Sequence, residues 1–573
     1  MVLSALLPLT KRGLKIIWAV RTGNETDRPI EELKNIVRNK NESFLGISFR
    51  GKKDMCLLAR DRNISGYEAV SNLCNLYKEK CQYYKNLERT NVEIPKEPLL
   101  FSQVLKIAEE SKICPYFLQL RILEEVDLVS MSYNYILSPI GWVIRRYVPF
   151  RKSILVVDEA HNMQTAVMNV NSDSISILSV RRAIKEASTM MSFPSDLTDS
   201  LNSLVKIMRE MRNRIMEDDI YDPEALMRQV GLNRESLQLL VKFGEKIARR
   251  KAEQGKSPRS YLSHIGKFFL AVLDSKGIDG IFNLATREGE NLKLELVDMR
   301  CAEVLRYVWE EFRSVIFMSG TLSPISAFSE VAGVDSCDSF EMRSFVDRRK
   351  VKTVLLKGVS TRGEQLSTIM RDRYLASIKA FLSIMNGNVA IFTSSYRTQG
   401  CILGELAEIA AKLGFILFSE REGMSGHEAR EILESMKKAA YRGDKVVLVA
   451  PMGGRFSEGI DLPGKELIGA YIMGIPFDRL TKRTQLYIGY YTRVYGARKG
   501  RYYAYIVPAM RKVSQAIGRV IRSEEDYGTF ILGDERFLKP IYNRLLPDYI
   551  RETGEAVSWK NLGGYLEMSR ESR

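Results

Sequence analysis

Four short stretches of the sequence carry side chains suited to phosphate chemistry. Asp158-Glu159-Ala160-His161 directly follows the apolar run Ser153–Val157 (SILVV), which reads as a buried parallel strand. Parallel sheets bind ligands beyond the carboxyl ends of their strands. Two adjacent carboxylates there suit Mg²⁺-dependent phosphate hydrolysis: Asp158 to hold the ion, Glu159 to orient or deprotonate the attacking water. His161, one of only three histidines, completes the tetrapeptide. Much later comes Gln515-Ala-Ile-Gly-Arg519-Val-Ile-Arg522. Spacings of three and four predict one helix face shared by Gln515, Gly518, Arg519 and Arg522. Arginines so placed can reach a γ-phosphate and stabilise transition-state charge. Between the two lie Ser319-Gly320-Thr321-Leu322, after a predicted strand Val315–Met318, and Gly453-Gly454-Arg455-Phe456-Ser457-Glu458-Gly459-Ile460-Asp461. The first is a small-residue turn able to sense a nucleotide. The second offers glycines for close backbone approach, with Glu458 and Asp461 to face a cleft.

A different chemistry is carried by cysteine. Cys56, Cys74, Cys81 and Cys114 fall within 59 residues, although the chain has only seven cysteines in all. Their gaps of 17, 6 and 32 residues contain no C-x₂-C knuckle, which argues against an ordinary zinc ribbon. Four thiolates from one excursion can ligate a [4Fe–4S] cluster; structural zinc and buried free thiols are the alternatives. Cys301, Cys337 and Cys401 are expected in the core. So few cysteines make no disulfide scaffold, which fits a reducing cytosol.

The elements that must position these groups follow from periodicity. Runs at Leu14–Val20, Asp127–Tyr135, Ser153–Val157, Val389–Thr393, Phe415–Phe418, Lys445–Ala450 and Ala470–Gly474 predict buried strands, with helices between them. Leu197, Leu201, Leu204, Met208, Met211 and Ile215 recur at steps of four and three, predicting an amphipathic helix with its stripe in a core. Leu292, Leu294 and Leu296 alternate after Gly289, predicting a hairpin strand. The pattern is α/β: two lobes, with two insertions in the first.

At roughly 100–200 residues per domain, 573 residues allow several domains. Lys and Arg number 86 against 70 Asp and Glu, a net charge of +16, which points to a polyanionic partner. Eleven of the basic residues lie in the 44 residues from Arg479 to Arg522, without one Asp or Glu and with seven tyrosines (Tyr487, Tyr490, Tyr491, Tyr495, Tyr502, Tyr503, Tyr505). Basic side chains track a phosphate backbone and aromatic rings stack bases irrespective of sequence, while about half of these tyrosines are expected in the core. Val241–Arg259, with seven Lys or Arg against two Glu, suits a strand-facing rim or a solvated helix. No apolar run approaches the ~18 residues of a membrane span. The opening MVLSALLPLTKRG lacks a basic n-region and a small-residue cleavage site, so no signal peptide is expected.

Taken in order, these motifs resemble the iron–sulfur XPD type of superfamily-two helicase (xeroderma pigmentosum group D, with DinG as a bacterial cousin). The similarity is carried by RTGNETDRPIEEL at 21–33, VVDEAHN at 156–162, MSGTLSP at 318–324, FTSSY at 392–396, GGRFSEGIDLPG at 453–464 and QAIGRVIRS at 515–523. The resemblance implies two RecA-like parallel-sheet lobes, the first interrupted by an iron–sulfur insertion and a mainly helical arch insertion. The expected order is first lobe 1–44, iron–sulfur domain 45–124, first lobe 125–164, arch 165–300, first lobe 301–338 and second lobe 339–573. It implies a [4Fe–4S] cluster on Cys56, Cys74, Cys81 and Cys114, flanked by Phe49-Arg50-Gly51-Lys52 and Cys114-Pro115-Tyr116. It implies ATP as substrate with Mg²⁺, sandwiched between lobes. Asp158, Glu159, His161, Gln515, Arg519 and Arg522 would be catalytic, with Gly320, Thr321, Glu458 and Asp461 around the nucleotide. Arg21, Thr22, Tyr133, Asn134, Ser394, Ser395, Tyr396 and Arg455 would line a DNA path. The implied protein is a monomeric 5′→3′ single-stranded DNA translocase and DNA helicase acting on single-stranded, tailed or forked DNA. Repair or transcription proteins are its expected partners, and its place is the cytoplasm, at the nucleoid in a prokaryote.

One part of that resemblance is missing. No G-x₄-G-K-[ST] occurs in the 573 residues; Gly255-Lys256-Ser257 has Arg250 where the first glycine belongs and Pro258 next to it. In the family the P-loop stands just before the strand predicted at Leu14–Val20, and Val2–Leu9 looks like the tail of the helix that follows it. The expectation is a start set a few residues downstream of the P-loop, and no ATP turnover by the polypeptide as written. A non-catalytic iron–sulfur protein that binds single-stranded DNA is the alternative.

Overall fold

The protein is described by a computed structural model that covers residues 1–40, 42–363, 365–458, 464–521 and 523–571. The chain divides into two units, Met1–Cys337 with Thr481–Leu486, and Asp338–Leu480 with Tyr487–Arg573. In chain order the first unit contains β1 (Lys15–Val20), β2 (Gly46–Ser48), β3 (Leu128–Ser132), β4 (Ser153–Val157), β5 (Asp173–Ser176), β6 (Asp218–Ile220), β7 (Ile281–Glu288), β8 (Asn291–Asp298) and β9 (Ser314–Phe317). The second contains β10 (Val351–Lys357), β11 (Val389–Thr393), β12 (Phe415–Ser419), β13 (Lys445–Pro451), β14 (Gly469–Met473), β15 (Gly528–Gly533) and β16 (Gly554–Ser558).

In the first unit, β2-β3-β1-β4-β9 form one sheet whose pairs are all parallel. Its strands are β-branched and apolar because both faces are covered. Leu3, Leu6 and Leu7 of helix Val2–Thr10 join Ile16, Trp18, Leu128 and Val156 in one core. At one end of the sheet β9 pairs, among the described residues, only with β4; Val315, Ile316 and Phe317 are half-buried there, whereas all of β4 is buried.

Two long segments separate strands of this sheet, one between β2 and β3 and one between β4 and β9. The first carries short helices, among them Lys52–Met55, Leu57–Asp61, Tyr67–Tyr77, Gln82–Arg89, Phe101–Glu110 and Pro115–Ile122. The second is helix and sheet together: β5-β8-β7-β6 form an antiparallel sheet packed by helices Ile177–Ala187, Ser195–Arg214, Arg234–Glu253 and Tyr261–Asp274. Leu197, Leu201, Leu204 and Met208 of the predicted stripe are buried in that core, with Met211 and Ile215 partly buried beside it. The predicted hairpin is β7–β8, paired in register from Ile281↔Asp298 to Glu288↔Asn291.

One buried carboxylate organises this insertion. Glu186 accepts from Ser260 Oγ (2.9 Å), Tyr261 N (2.8 Å) and Leu262 N (3.1 Å), and pairs with Lys251 Nζ at 2.6 Å. It thereby satisfies the first amides of helix Tyr261–Asp274, which have no partner within their own helix. Glu186→Ala strands those donors and Lys251, and is expected to destabilise the insertion by about 2–4 kcal/mol, read as a lowered urea midpoint. An unchanged midpoint refutes that role.

The second unit is a parallel sheet of order β12-β13-β11-β14-β15-β10-β16 with a core on each face. Sequence periodicity did not reveal β10, β15 or β16. Gly528 and Gly533 bound β15, and Lys352 and Lys357 break the apolar run of β10. Among the described residues no helix is long and apolar enough to cross a membrane.

Candidate active site

β1, β4 and β9 end side by side, and backbone bonds extend the alignment beyond them. Asp158 N donates to Ala19 O (2.9 Å) and Ala160 N to Met318 O (3.0 Å). Asp158 therefore leaves β4 at the carboxyl end of the sheet, where parallel sheets place ligands. Trp18 Nε1 donates to Asp158 Oδ2 at 3.3 Å. Burial pushes the Asp158 carboxyl above its ordinary value, while the Trp18 indole, the Glu159 amide and Arg28 pull the other way. A cation at this carboxylate would favour its charged form.

Glu159 turns the chain sharply, with φ +46° and ψ +43°. For a side-chain-bearing residue this left-handed geometry costs ~1–2 kcal/mol. The turn brings its carboxylate to the loop after β9, where Ser319 Oγ donates to Glu159 Oε2 at 2.9 Å. His161 Nδ1 lies 2.7 Å from Ser319 Oγ, 3.2 Å from Thr321 Oγ1 and 3.3 Å from Glu159 Oε2. Thr321 N also donates to Ser319 Oγ, at 3.1 Å. The DEAH and SGT turns are thus one hydrogen-bonded cluster in which Glu159 stays exposed and His161 is buried. Gly320 is the exposed link of the same turn. Ser319 was not among the predicted site residues; its neighbours in the SGT tripeptide were the available signal.

Arg21, Thr22 and Asn134 are exposed near these strand ends. Tyr133 is not: it is 1 % exposed and its hydroxyl donates to the Asp158 carbonyl. The prediction that Tyr133 lines a DNA path is corrected; its ring packs in the core and its hydroxyl holds the DEAH turn.

In the second unit the same logic places FTSSY at the end of β11 and GGRFSE at the end of β13, its neighbour in the sheet. Ser395 caps helix Tyr396–Lys412 by accepting from Thr398 N at 3.1 Å, and Ser394 Oγ lies 2.9 Å from Thr398 Oγ1. Tyr396 Oη donates to Glu420 Oε1 at 2.7 Å. Burial and the Glu420 carboxylate push the Tyr396 phenol up to about 12. Arg455 is exposed, and Arg519 Nε donates to Ser457 O at 2.8 Å. Gln515 lies on helix Val507–Ile517, half-buried. That helix ends at Ile517, with Gly518 as its C-cap, so Gly518 and Arg519 lie in the following turn. The single helix face predicted for Gln515, Gly518, Arg519 and Arg522 is therefore corrected: the helix stops at Ile517, before Gly518 and Arg519. Asp461 and Arg522 lie outside the described residues, and of Glu458 only the backbone, at the end of helix Arg455–Glu458, is described.

Of the seven tyrosines in the basic stretch, three belong to the core and four are half-buried. Tyr490, Tyr491 and Tyr503 are buried, and edge and tilted ring contacts run Tyr487–Tyr491–Tyr495–Tyr503–Tyr502. These rings pack against one another. Among the remaining cysteines Cys301 is buried, but Cys337 and Cys401 are exposed, which corrects their expected burial.

Cys56, Cys81 and Cys114 each precede a helix, and Cys74 lies within Tyr67–Tyr77. Burial pushes the Cys56 thiol up to about 11 and Cys114 up to about 12, opposed by bonds from the Ala59 and Leu58 amides and from the Phe117 amide, respectively. Each also feels the other cysteines' charge, and Lys52 and Lys78 favour the Cys74 thiolate. Among the described residues no three His, Cys, Asp or Glu converge closely enough to chelate a metal ion. The helix carrying Cys74 touches the second insertion: Asn72 Nδ2 donates to Pro258 O (3.0 Å) and Arg259 Nε pairs with Glu68 Oε2 (2.9 Å).

Parallel α/β units bearing an interlocked DEAH–SGT cluster and paired strand-end loops define a helicase. Family profiles match the chain successively: DEAD_2 over residues 18–180, the helical and beta-bridge domain over 183–365, and the helicase C-terminal domain over 378–553. The chain is 24% identical to the general transcription and DNA repair factor IIH helicase subunit XPD/RAD3 of Saccharomyces cerevisiae, across 91% of this chain and 80% of that one. It is also 24% identical to the ATP-dependent DNA helicase XPD of Sulfolobus acidocaldarius, across 91% of this chain and 88% of that one. A solved XPD helicase structure superposes with a TM-score of 0.66 at 20% identity, covering 95% of this chain and 91% of the other. The chain belongs to the XPD/Rad3-type helicases.

Proposed function

We propose that this protein is an ATP-driven translocase on single-stranded DNA that unwinds tailed or forked duplexes with 5′→3′ polarity, and that it bears a [4Fe–4S] cluster. The observation that carries the reading is the Glu159–Ser319–His161–Thr321 cluster. Asp158 at the strand end would hold Mg²⁺, and the exposed Glu159 carboxylate would orient and deprotonate the attacking water. Since Ser319 and His161 share hydrogen bonds with that carboxylate, a shift of Glu159 on hydrolysis must move the SGT turn. Gln515, Arg519 and Arg522 would stabilise phosphate charge, with Gly320, Thr321, Glu458 and Asp461 around the nucleotide. Arg21, Thr22, Asn134, Ser394, Ser395, Tyr396 and Arg455 would contact the strand.

For the cluster, the donor set fits. Cys56, Cys74, Cys81 and Cys114 supply four thiols in one excursion; the Leu58 and Ala59 amides reach Cys56, the Phe117 amide reaches Cys114, and Lys52 favours the Cys74 thiolate. A four-iron cube takes one thiolate at each of four separated corners, so its ligands need not converge as those of a single ion do. When bound, it would cross-link the short helices that carry those cysteines. Names of relatives that act in transcription and DNA repair support partners of that kind. A cytoplasmic place, at the nucleoid in a prokaryote, and a monomeric state belong to the same reading.

A passive iron–sulfur protein that binds single-stranded DNA is the alternative, and ATP would leave its binding unchanged. Both readings expect salt-sensitive binding of oligo-dT by the purified chain, with log K falling linearly against log salt. Arg455→Ala is expected to weaken binding and to lower the magnitude of the salt slope by roughly 0.7–1. Fluorescence anisotropy showing no binding by the parent chain at low salt excludes both.

A further inference from the structure

The carboxyl ends of β11, β13 and β12 adjoin in the second unit, and the residue just past β12 is Glu420. Its side chain is 2 % exposed, and no lysine or arginine among the described residues pairs with it. It is instead surrounded by donors. Oε1 accepts from Tyr396 Oη (2.7 Å) and Arg455 N (2.8 Å), and Oε2 from Phe456 N (3.2 Å). Its own backbone is held at both ends: Glu420 N donates to Val449 O (2.8 Å), and Gln399 Nε2 donates to Glu420 O (2.7 Å). Gly454 makes the approach possible, because a Cβ there would stand 2.6 Å from Oε2 and 2.7 Å from Oε1.

A buried carboxylate is costly unless each lone pair facing the protein finds a donor, and charge-assisted bonds are stronger and more directional than neutral ones. Here the donors come from two separate loops. One carries Ser394, Ser395 and Tyr396; the other carries Arg455. Each loop lies at the end of its own strand; Met452 N donates to Thr393 O (2.8 Å) and ties their bases, but it does not bridge Tyr396 to Arg455. The Glu420 carboxylate does, since a single oxygen accepts from both.

We propose that Glu420 is a positioning residue for single-stranded DNA: it locks the Ser394–Tyr396 turn to the Gly454–Phe456 turn, so that the side chains on both meet the strand at a fixed spacing. This rests on the DNA-binding function proposed above. Glu420 touches no DNA itself, and this separates its signature from that of a contact residue. Losing the lock lowers affinity for every sequence and leaves the number of neutralised phosphates unchanged.

Oligo-dT binding by the full chain, measured by anisotropy over a range of salt, tests it. Glu420→Gln keeps the size but sets an amide NH₂ against a loop donor, and is expected to weaken binding about tenfold, with the salt slope of the parent. Gly454→Ala displaces the carboxylate by another route and should weaken binding similarly; the double variant should be no weaker than either single one. Tyr396→Phe removes only the accepted hydroxyl and should cost about threefold, which keeps the test decisive should Glu420→Gln fail to fold. Parent-like affinity in Glu420→Gln or, if that variant does not fold, in both Gly454→Ala and Tyr396→Phe overturns the proposal. So does a slope that falls as in Arg455→Ala, or full additivity in the double variant. If the parent chain binds no oligo-dT, the functional reading itself fails, an outcome distinct from parent binding that the variants leave unchanged.

Discussion

Grafting a strand, a G-x₄-G-K-[ST] turn and the start of a helix in front of Val2 is expected to raise DNA-stimulated ATP hydrolysis by at least about 10³-fold over the 573-residue chain, which by itself should stay at background. The magnitude follows from what such a loop contributes. Its backbone amides and lysine hold the β- and γ-phosphates, and each preorganised donor facing developing charge is worth ~10²–10³ in rate. The fold offers a place for the added strand. Among the described residues β9 is paired on one side only, and Val315, Ile316 and Phe317 on it are half-buried in a sheet whose β1 and β4 are almost wholly buried. A parallel strand laid along that edge would cover them and end beside Ser319 and Thr321. Its turn would then reach the same crevice as Asp158 and Glu159. Replacing the added lysine by alanine, or making Glu159→Gln in the grafted protein, should return hydrolysis to background. DNA-stimulated hydrolysis by the ungrafted chain, abolished by Glu159→Gln, would contradict this account.

How far the sequence alone reaches can be judged from particular residues. Asp158 and Glu159 were legible because an apolar run ending in two carboxylates admits few readings; strand β4 has the bounds its run predicts. The helix Ser195–Arg214 was legible for the same reason, a stripe repeated over five turns. What stayed hidden depends on tertiary contact. Nothing local distinguishes Glu420, preceded by Ser419 in an ordinary strand end, until β11 and β13 bring Tyr396 and Arg455 against it. Tyr133 looked like a strand-end aromatic available to DNA, yet its hydroxyl is taken by the Asp158 carbonyl across two neighbouring strands. The spacing of Gln515 and Arg519 fits a helix, but the helix stops at Ile517, and spacing alone does not say where a helix stops. The tyrosines between Tyr487 and Tyr505 were read by composition, which cannot separate rings that stack on bases from rings that pack against each other.

Cysteine replacement should give the other large effect. Chain purified without oxygen is expected to hold ~4 iron and ~4 acid-labile sulfide, with Cys74→Ser and Cys114→Ser each losing most of both. Cys401→Ser, at an exposed position on a helix of the second unit, should keep the full complement. The physical consequence reaches beyond metal content. The helices bearing these ligands are short, and Lys52–Met55 and Leu57–Asp61 have only 4 and 5 residues, far below the ~12–15 at which a helix holds its form in water. The apolar cluster they share is small, with Ala59, Ile64, Ala69, Val70 and Leu73 as its buried members. Segments with so little core depend on covalent or metal cross-links for stability. Limited proteolysis should therefore cut Cys74→Ser within residues 45–124 much faster than the parent. Because Glu68 and Asn72 share a helix with Cys74, the contact with Pro258 and Arg259 should loosen with it, exposing residues 250–259 to the same protease. Recovery of about one zinc per chain in place of iron would identify a structural zinc site. Iron-free protein with parent-like resistance in Cys74→Ser would leave these cysteines as buried thiols with no cross-linking role.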